Sequence, residues 1–334
     1  MKRQKRILIV RPDRIGDVVL STPLPREIKK QFPDCYIAVL LREYTRDIYF
    51  NNPFVDKILV TDDNKTFFEK IKEIRTEKFS HALMLLPNEK INYMLFLAGI
   101  PYRVSVGHKL YQFLTFTHFV SRRKYNPLRH EADYCMDLAR KIGIDSNNLD
   151  TEIFLTNDEI AKVNDFRKQR LTDKKYIIGI HTTSGNSSPG WTSSSYKELI
   201  ERLIVNKDFY VVVTDNKVPS DLLNIPGVEF PNVGAGLRRS FIVFAGLDYL
   251  ISSSTGPMHI AAALKVKTLS MFCPLPACSP KLWGAKGNIS RVILPLPEYC
   301  QIKCPGNPKK CTFEGGGIAV DRVVDELNSW VYNE

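Results

Sequence analysis

Leu250-Ile251-Ser252-Ser253-Ser254-Thr255-Gly256-Pro257-Met258-His259-Ile260-Ala261-Ala262-Ala263 runs an apolar strand into four hydroxyl residues and a glycine, then opens a helix on proline. The first turn of a helix carries unpaired N–H groups and a partial positive charge, and Ser254 or Thr255 can cap it while adding hydroxyl donors. Gly256 admits a ligand close to the backbone, Pro257 suits the first helical turn, and the Ala261 to Ala263 run lets the helix lie near a sheet. A phosphate or diphosphate is the natural guest of such a helix start. The same stretch also reads as an ordinary capped helix after a strand, and a second motif tips the balance.

That motif is Arg6-Ile7-Leu8-Ile9-Val10-Arg11-Pro12-Asp13-Arg14-Ile15-Gly16-Asp17-Val18-Val19-Leu20-Ser21-Thr22-Pro23, a short strand of buried type leading through a glycine turn into a helical segment. It lacks the three glycines of a dinucleotide fingerprint, which argues against a nicotinamide or flavin site. The turn offers two carboxylates instead, Asp13 and Asp17, close to the carboxyl end of the strand, where ligands of open α/β sheets gather. Helix capping is the competing reading for either.

Around these motifs, apolar runs recur at Ile7 to Val10, Tyr36 to Leu41, Ile58 to Val60, Ala82 to Leu86 and Val104 to Val106, with helical segments such as Phe67 to Glu77 between them. This alternation predicts a parallel sheet covered on both faces. After the charged helix and linker from Asp158 to Lys175 the pattern restarts, with strands expected at Tyr176 to Ile180, Phe209 to Thr214, Tyr249 to Ser252 and Lys267 to Phe272. A Ser195–Glu198 capping box is expected to start the intervening helix. In the tail, Val320, Val323, Val324, Leu327, Trp330 and Val331 have helical spacing after Gly315-Gly316-Gly317. The fold class is α/β: two Rossmann-like domains facing across a cleft, with boundaries at 1–165 and 174–317 and a C-terminal helical segment at 318–334.

Composition narrows the class. The chain has 334 residues, enough for two cores, and its 44% hydrophobic and 25% charged content is that of a soluble globular protein. No run approaches the ~20 apolar residues of a membrane span. Seven cysteines, an odd number in a large chain, argue against a secreted disulfide framework, so the expected location is cytoplasmic. Of the net charge of +11, residues 1 to 170 carry +8. An acidic partner is therefore expected at the first half, a dispersed solvated surface being the alternative. No helix-turn-helix, zinc-finger or RNA-binding aromatic signature accompanies the charge, and no specific nucleic-acid partner is expected.

The opening from Arg11 to Pro23, the His181-Thr182-Thr183 to Trp191 segment and the Ser254-Thr255-Gly256-Pro257-Met258-His259-Ile260-Ala261-Ala262-Ala263-Leu264 loop occur in an order and spacing that resemble the ADP-heptose:lipopolysaccharide heptosyltransferases of glycosyltransferase family 9. The resemblance runs along nearly the whole chain. It implies a GT-B fold whose C-terminal helix crosses back to the first domain. It also implies an inverting, metal-independent transfer of heptose or a related sugar from an ADP-sugar to an acidic lipopolysaccharide inner-core glycolipid. Asp17 is then the general base. Thr182, Thr183, Ser184, Ser254, Thr255, Gly256, Pro257, Met258 and His259 would receive the donor diphosphate, and Arg11, Asp13 and Arg14 are candidates for acceptor contact or for a phosphate-binding cation. Asp215 is the ribose candidate. No metal and no cofactor beyond the donor substrate are expected; Asp62-Asp63 reads as a turn.

Two departures stand out. The relatives often carry Asp where Ser254 stands, and a Lys or Arg shortly before the tryptophan, where this chain has Ser187-Ser188-Pro189-Gly190-Trp191. A non-catalytic glycan- or nucleotide-binding protein of the same fold is the alternative. His181 reads as a packing residue, and His130 sits at a helix start with its role open. Cys300, Cys304 and Cys311 read as structural thiols, with a zinc site as the other possibility. Leu- and Phe-rich stretches at Tyr93 to Ile100 and Leu110 to Val120, the second flanked by Lys109 and Arg122-Arg123-Lys124, suit peripheral contact with the cytoplasmic face of the inner membrane or, alternatively, burial.

Overall fold

A computed structural model describes residues 4–122, 125–185 and 188–333; Arg123, Lys124, Asn186 and Ser187 lie outside the described residues. The chain divides into two compact units, Met1–Phe154 and Leu155–Glu334. Each is built on one wholly parallel sheet.

In the first unit β1 (Arg6–Val10), β2 (Tyr36–Leu41), β3 (Lys57–Val60), β4 (His81–Met84), β5 (Tyr102–Val106) and β6 (His118–Val120) lie in the order β3-β2-β1-β4-β5-β6. Ile7 to Val10 are buried, as are Ile37 to Leu41, which is why the central strands read as unbroken apolar runs: helices cover both faces. Register is direct, with Ile7 opposite Ile37 and His81, and Val10 opposite Leu40 and Met84.

The second unit repeats the plan. Its strands β7 (Tyr176–His181), β8 (Phe209–Val213), β9 (Val228–Glu229), β10 (Tyr249–Ser253), β11 (Lys267–Met271) and β12 (Ser290–Ile293) take the order β12-β11-β10-β7-β8-β9. In both sheets the strand order reverses beside the first strand, between β1 and β4 and between β7 and β10. Those are the points where an open α/β sheet splays its loops and receives ligands.

The division falls between Phe154 and Leu155, ahead of the boundary at 165 expected from sequence. The helix Asn157–Arg170 packs into the second unit, where Arg167 donates to the Gly246 carbonyl at 2.7 Å and pairs with Asp248. The tail helix Val320–Tyr332 also buries its stripe there. Val323, Leu327 and Trp330 are fully enclosed, and the Trp330 ring meets Tyr249 edge-on at 5.3 Å.

Local signals misled at one helix. The segment expected to open on a Ser195–Glu198 capping box starts earlier, at Ser193, with Thr192 in the cap position. Thr192 bonds Ser194 at 2.7 Å and also Glu314, a partner far away in sequence. The adjacent Asp62-Asp63 pair is a turn, as expected: Asp62 accepts from the Glu43 N–H, and Asp63 from the Lys65 N–H and the Lys70 ammonium. Among the described residues no helix is long and apolar enough to cross a membrane.

Candidate functional site

In the first unit the chain leaves β1 at Val10 and places Arg11 under the sheet's switch point, almost wholly enclosed. Its guanidinium donates to the Leu85 carbonyl, one residue past β4, at 3.0 Å. One nitrogen, Nη2, donates both to Asp17 Oδ1 at 2.6 Å and to Glu131 Oε1 at 3.0 Å. Asp13 stands further off, 3.8 Å from Nε, and accepts from the Arg14 N–H. Glu131 is buried as deeply as Arg11 and takes a second cation, Arg122, whose Nη1 lies 3.0 and 3.1 Å from its two oxygens. The result is a chain of alternating charges ending on Asp17, in the first turn of the short helix Ile15–Val19.

Asp17 is half-buried, and burial is the main influence on its proton affinity. It pushes the carboxyl up, against the pull of Arg11 and with added repulsion from Asp13 and Glu131, to about 6. A carboxylate tuned toward neutrality, still ionised above that value, has the proton affinity of a general base.

Of the two cations expected to meet an acidic group, Arg11 is committed to internal carboxylates, while Arg14 stands exposed at the head of the short helix. Glu131 was not singled out from sequence. Its neighbour His130 was, and its open role is now filled: His130 Nδ1 caps the helix Glu131–Arg140 by accepting from the Ala132 N–H at 3.2 Å.

In the second unit the two remaining motifs leave adjacent central strands, with His181 of β7 in register with Ser252 of β10. After β7 the turn closes around Asp215, which lies just past β8 and is fully buried. The Thr182 N–H and hydroxyl donate to one carboxylate oxygen at 2.8 and 3.1 Å, and those of Thr183 to the other at 3.0 and 2.7 Å. This alters two expectations. The donors that Thr182 and Thr183 were to offer a diphosphate are held by an internal anion, and Asp215, the ribose candidate, has both oxygens engaged by the turn.

His181 packs beside them, Nδ1 3.0 Å from the Thr214 hydroxyl and Nε2 3.4 Å from Asp215; burial pushes the imidazole down, toward its neutral form. Asp215→Asn keeps the shape but turns two of the four donors toward an NH₂ group. It is expected to lower the stability of the second unit by about 1–3 kcal/mol, read as an earlier thermal transition.

On the β10 side the strand, loop and helix start are formed as expected. Thr255 is extended at the cap position of the helix Gly256–Ala263, its side chain not closing on the helix. The Thr255 and Ser252 hydroxyls are buried with no hydrogen-bond partner among the described residues. A buried hydroxyl left unsatisfied is costly, so Thr255 beside a helix start suits a polar guest. Met258 and His259 are buried, while Ser254, Gly256 and Pro257 remain partly accessible. Ser254 is anchored through its N–H to the Met271 carbonyl. Trp191 is a packing residue: its indole N–H donates to the Ile318 carbonyl at 2.9 Å, and its ring meets Tyr196.

All seven cysteines are free thiols; Cys311 is buried with its sulfur 3.5 Å from the Tyr299 hydroxyl. Among the described residues no group of three His, Cys, Asp or Glu side chains is disposed to hold a metal.

Two doubly wound parallel sheets, each with a polar loop at its switch point, are the architecture of the GT-B fold. Residues 68–305 match the model of glycosyltransferase family 9 (heptosyltransferase), and the chain belongs to that family. It is 22% identical over 351 residues to lipopolysaccharide heptosyltransferase 2 of Escherichia coli K12, covering 98% of this chain and 99% of the other. Among solved structures, the family 9 glycosyl transferase of Veillonella parvula superposes with a TM-score of 0.77 at 20% identity, covering 100% and 99% of the two chains. The E. coli heptosyltransferase WaaC, solved with ADP, superposes with a TM-score of 0.70 at 15% identity over 97% and 99%.

Proposed function

We propose that this glycosyltransferase moves a heptose, or a related sugar, from an ADP-sugar to an acidic lipopolysaccharide inner-core acceptor, by an inverting and metal-independent reaction. The first unit would serve the acceptor and the second the donor. The observation that carries the reading is Asp17, held by Arg11 at the switch point of its sheet with a proton affinity pushed up to about 6. In this mechanism Asp17 takes the proton of the acceptor hydroxyl as its oxygen attacks the anomeric carbon. The bond from that carbon to the β-phosphate oxygen breaks on the opposite face, and ADP departs with the pair of electrons.

The leaving diphosphate gains negative charge as that bond lengthens. The N–H groups at the start of the helix Gly256–Ala263 and the Thr255 hydroxyl are fixed dipoles suited to that charge, and such preorganised donors stabilise a departing anion without rearrangement. The relative crystallised with ADP supports adenosine as the nucleoside of the donor.

Calorimetric titration with ADP, UDP, GDP and CDP, each with magnesium and with chelator, tests the donor half. Selective ADP binding that survives chelation is expected. Preference for another nucleotide would overturn the ADP-sugar, binding lost with chelator would overturn metal independence, and no binding to any would favour a non-catalytic role for the fold.

A further inference from the structure

One surface of the first unit is built in a way that neither the fold nor the transfer chemistry requires. Between Gly107 and Val120 the chain forms a short helix, Leu110–Leu114, then turns back through Phe116 into β6. Leu110, Phe113 and Phe116 are 75%, 79% and 81% exposed, and Leu114 and Phe119 are exposed beside them. Phe116 adopts a left-handed backbone, φ 52°, a conformation that bulky residues rarely take.

These apolar side chains stand on a tightly bonded polar base. Gln112 is buried, donating to the Val106 carbonyl at 2.9 Å and accepting from the Lys109 N–H at 2.8 Å. Asn92 donates to Thr115 at 2.6 Å and accepts from Thr117 at 3.1 Å, and the Arg103 guanidinium donates to the Thr115 and Ile100 carbonyls. A segment this well bonded underneath holds its aromatic groups in water as part of its structure. Contiguous exposed apolar groups of this kind mark an interaction surface.

Charge says what the surface meets. From Lys90 to His130 the sequence holds seven Lys and Arg residues and no Asp or Glu. A second copy of the same surface would bring like charges together, which disfavours self-association through it. Aromatic and aliphatic side chains that follow directly on the exposed Lys109, in a segment without a carboxylate, fit a bilayer instead, the rings entering the acyl boundary while the ammonium meets anionic headgroups.

We infer that the Lys109–Phe119 segment docks the first unit on an anionic lipid bilayer through Leu110, Phe113, Leu114 and Phe116. This docking stands apart from the transfer chemistry, so it survives if Asp17 is not the base.

Cosedimentation of the whole protein with vesicles tests it. One set is phosphatidylethanolamine with phosphatidylglycerol at roughly three to one, the other pure phosphatidylcholine. The wild-type chain is expected to bind the anionic vesicles about tenfold more tightly or better, and to lose that preference as salt rises. The double variant Phe113→Ser, Phe116→Ser should weaken binding by about tenfold or more, and Lys109→Glu should weaken it on anionic vesicles only. An unchanged melting temperature shows that the exposed substitutions leave the fold intact. Absence of vesicle binding, equal binding by the double variant, or a dimer that the double variant converts to monomer would overturn the inference; the last would assign the surface to a second copy. ADP binding, measured in parallel, reports on the donor site separately, so loss of one property leaves the other standing.

Discussion

Asp17→Asn is expected to lower kcat by about 10²- to 10⁴-fold, the usual contribution of a positioned general base, while nucleotide affinity stays within about twofold. The amide keeps the size of the side chain but offers no basic oxygen. Unchanged turnover would remove Asp17 from the role. In the wild-type enzyme the base works only when ionised, so kcat should fall on the acid side with a midpoint near the value of about 6 to which burial brings Asp17. Asp17→Asn should abolish that limb. The same shift has a consequence for stability: the carboxyl binds its proton more tightly in the folded protein than at its ordinary value of 3.8. Its contribution to stability is therefore fully present below about 3.8 and lost as pH rises through about 6.

Arg11→Met is expected to destabilise the first unit by about 3–5 kcal/mol, because it leaves Asp17 and the deeply buried Glu131 without their shared cation. For a unit of this size that is a fall in melting temperature of about 10–15 °C. Arg122 still neutralises Glu131, so the heavier loss falls on Asp17, whose proton affinity should rise further once the pull of Arg11 is gone. The deficit should shrink as pH is lowered and Asp17 takes up its proton, and grow as pH is raised. A melting temperature within a degree or two of wild type across that range would show that the buried network contributes little. The acid limb of turnover, where activity persists, should move to higher pH.

The central strands were legible in sequence because both faces of each are covered, which demands unbroken apolar runs such as Tyr36 to Leu41. The strands that went unread, His118–Val120, Val228–Glu229 and Ser290–Ile293, lie at sheet edges. Half of an edge strand's surroundings is solvent or loop, so residues such as His118, Glu229 and Ser290 are tolerated there and no run survives to be seen.

The candidate site divides in the same way. Asp17 and the Ser254–His259 loop were visible because a strand end, a turn and a helix start lie within a few residues of one another. Glu131 was invisible because its partner Arg11 is 120 residues away, and nothing in either local stretch announces the other. Asp215 was noticed for its place after a strand, but its internal partners were not, for the same reason: Thr182 and Thr183 are more than thirty residues upstream. The Ser195–Glu198 pattern was the converse error, a valid local signal outcompeted by Thr192, which finds Glu314 only once the chain is folded.

The turn that closes around Asp215 carries its own counter-ion, so to speak, from the moment the second unit folds. A loop that must be organised by an incoming ligand charges the cost of its ordering to every binding event. Here the four donors of Thr182 and Thr183 are set by a carboxylate of the chain itself, so the end of β7 is ordered without drawing on a ligand. On the neighbouring strand, Thr255 and the helix start present polar groups that the fold has placed but not satisfied, so the ordering is done by the chain and the unmet hydrogen bond is left for a guest.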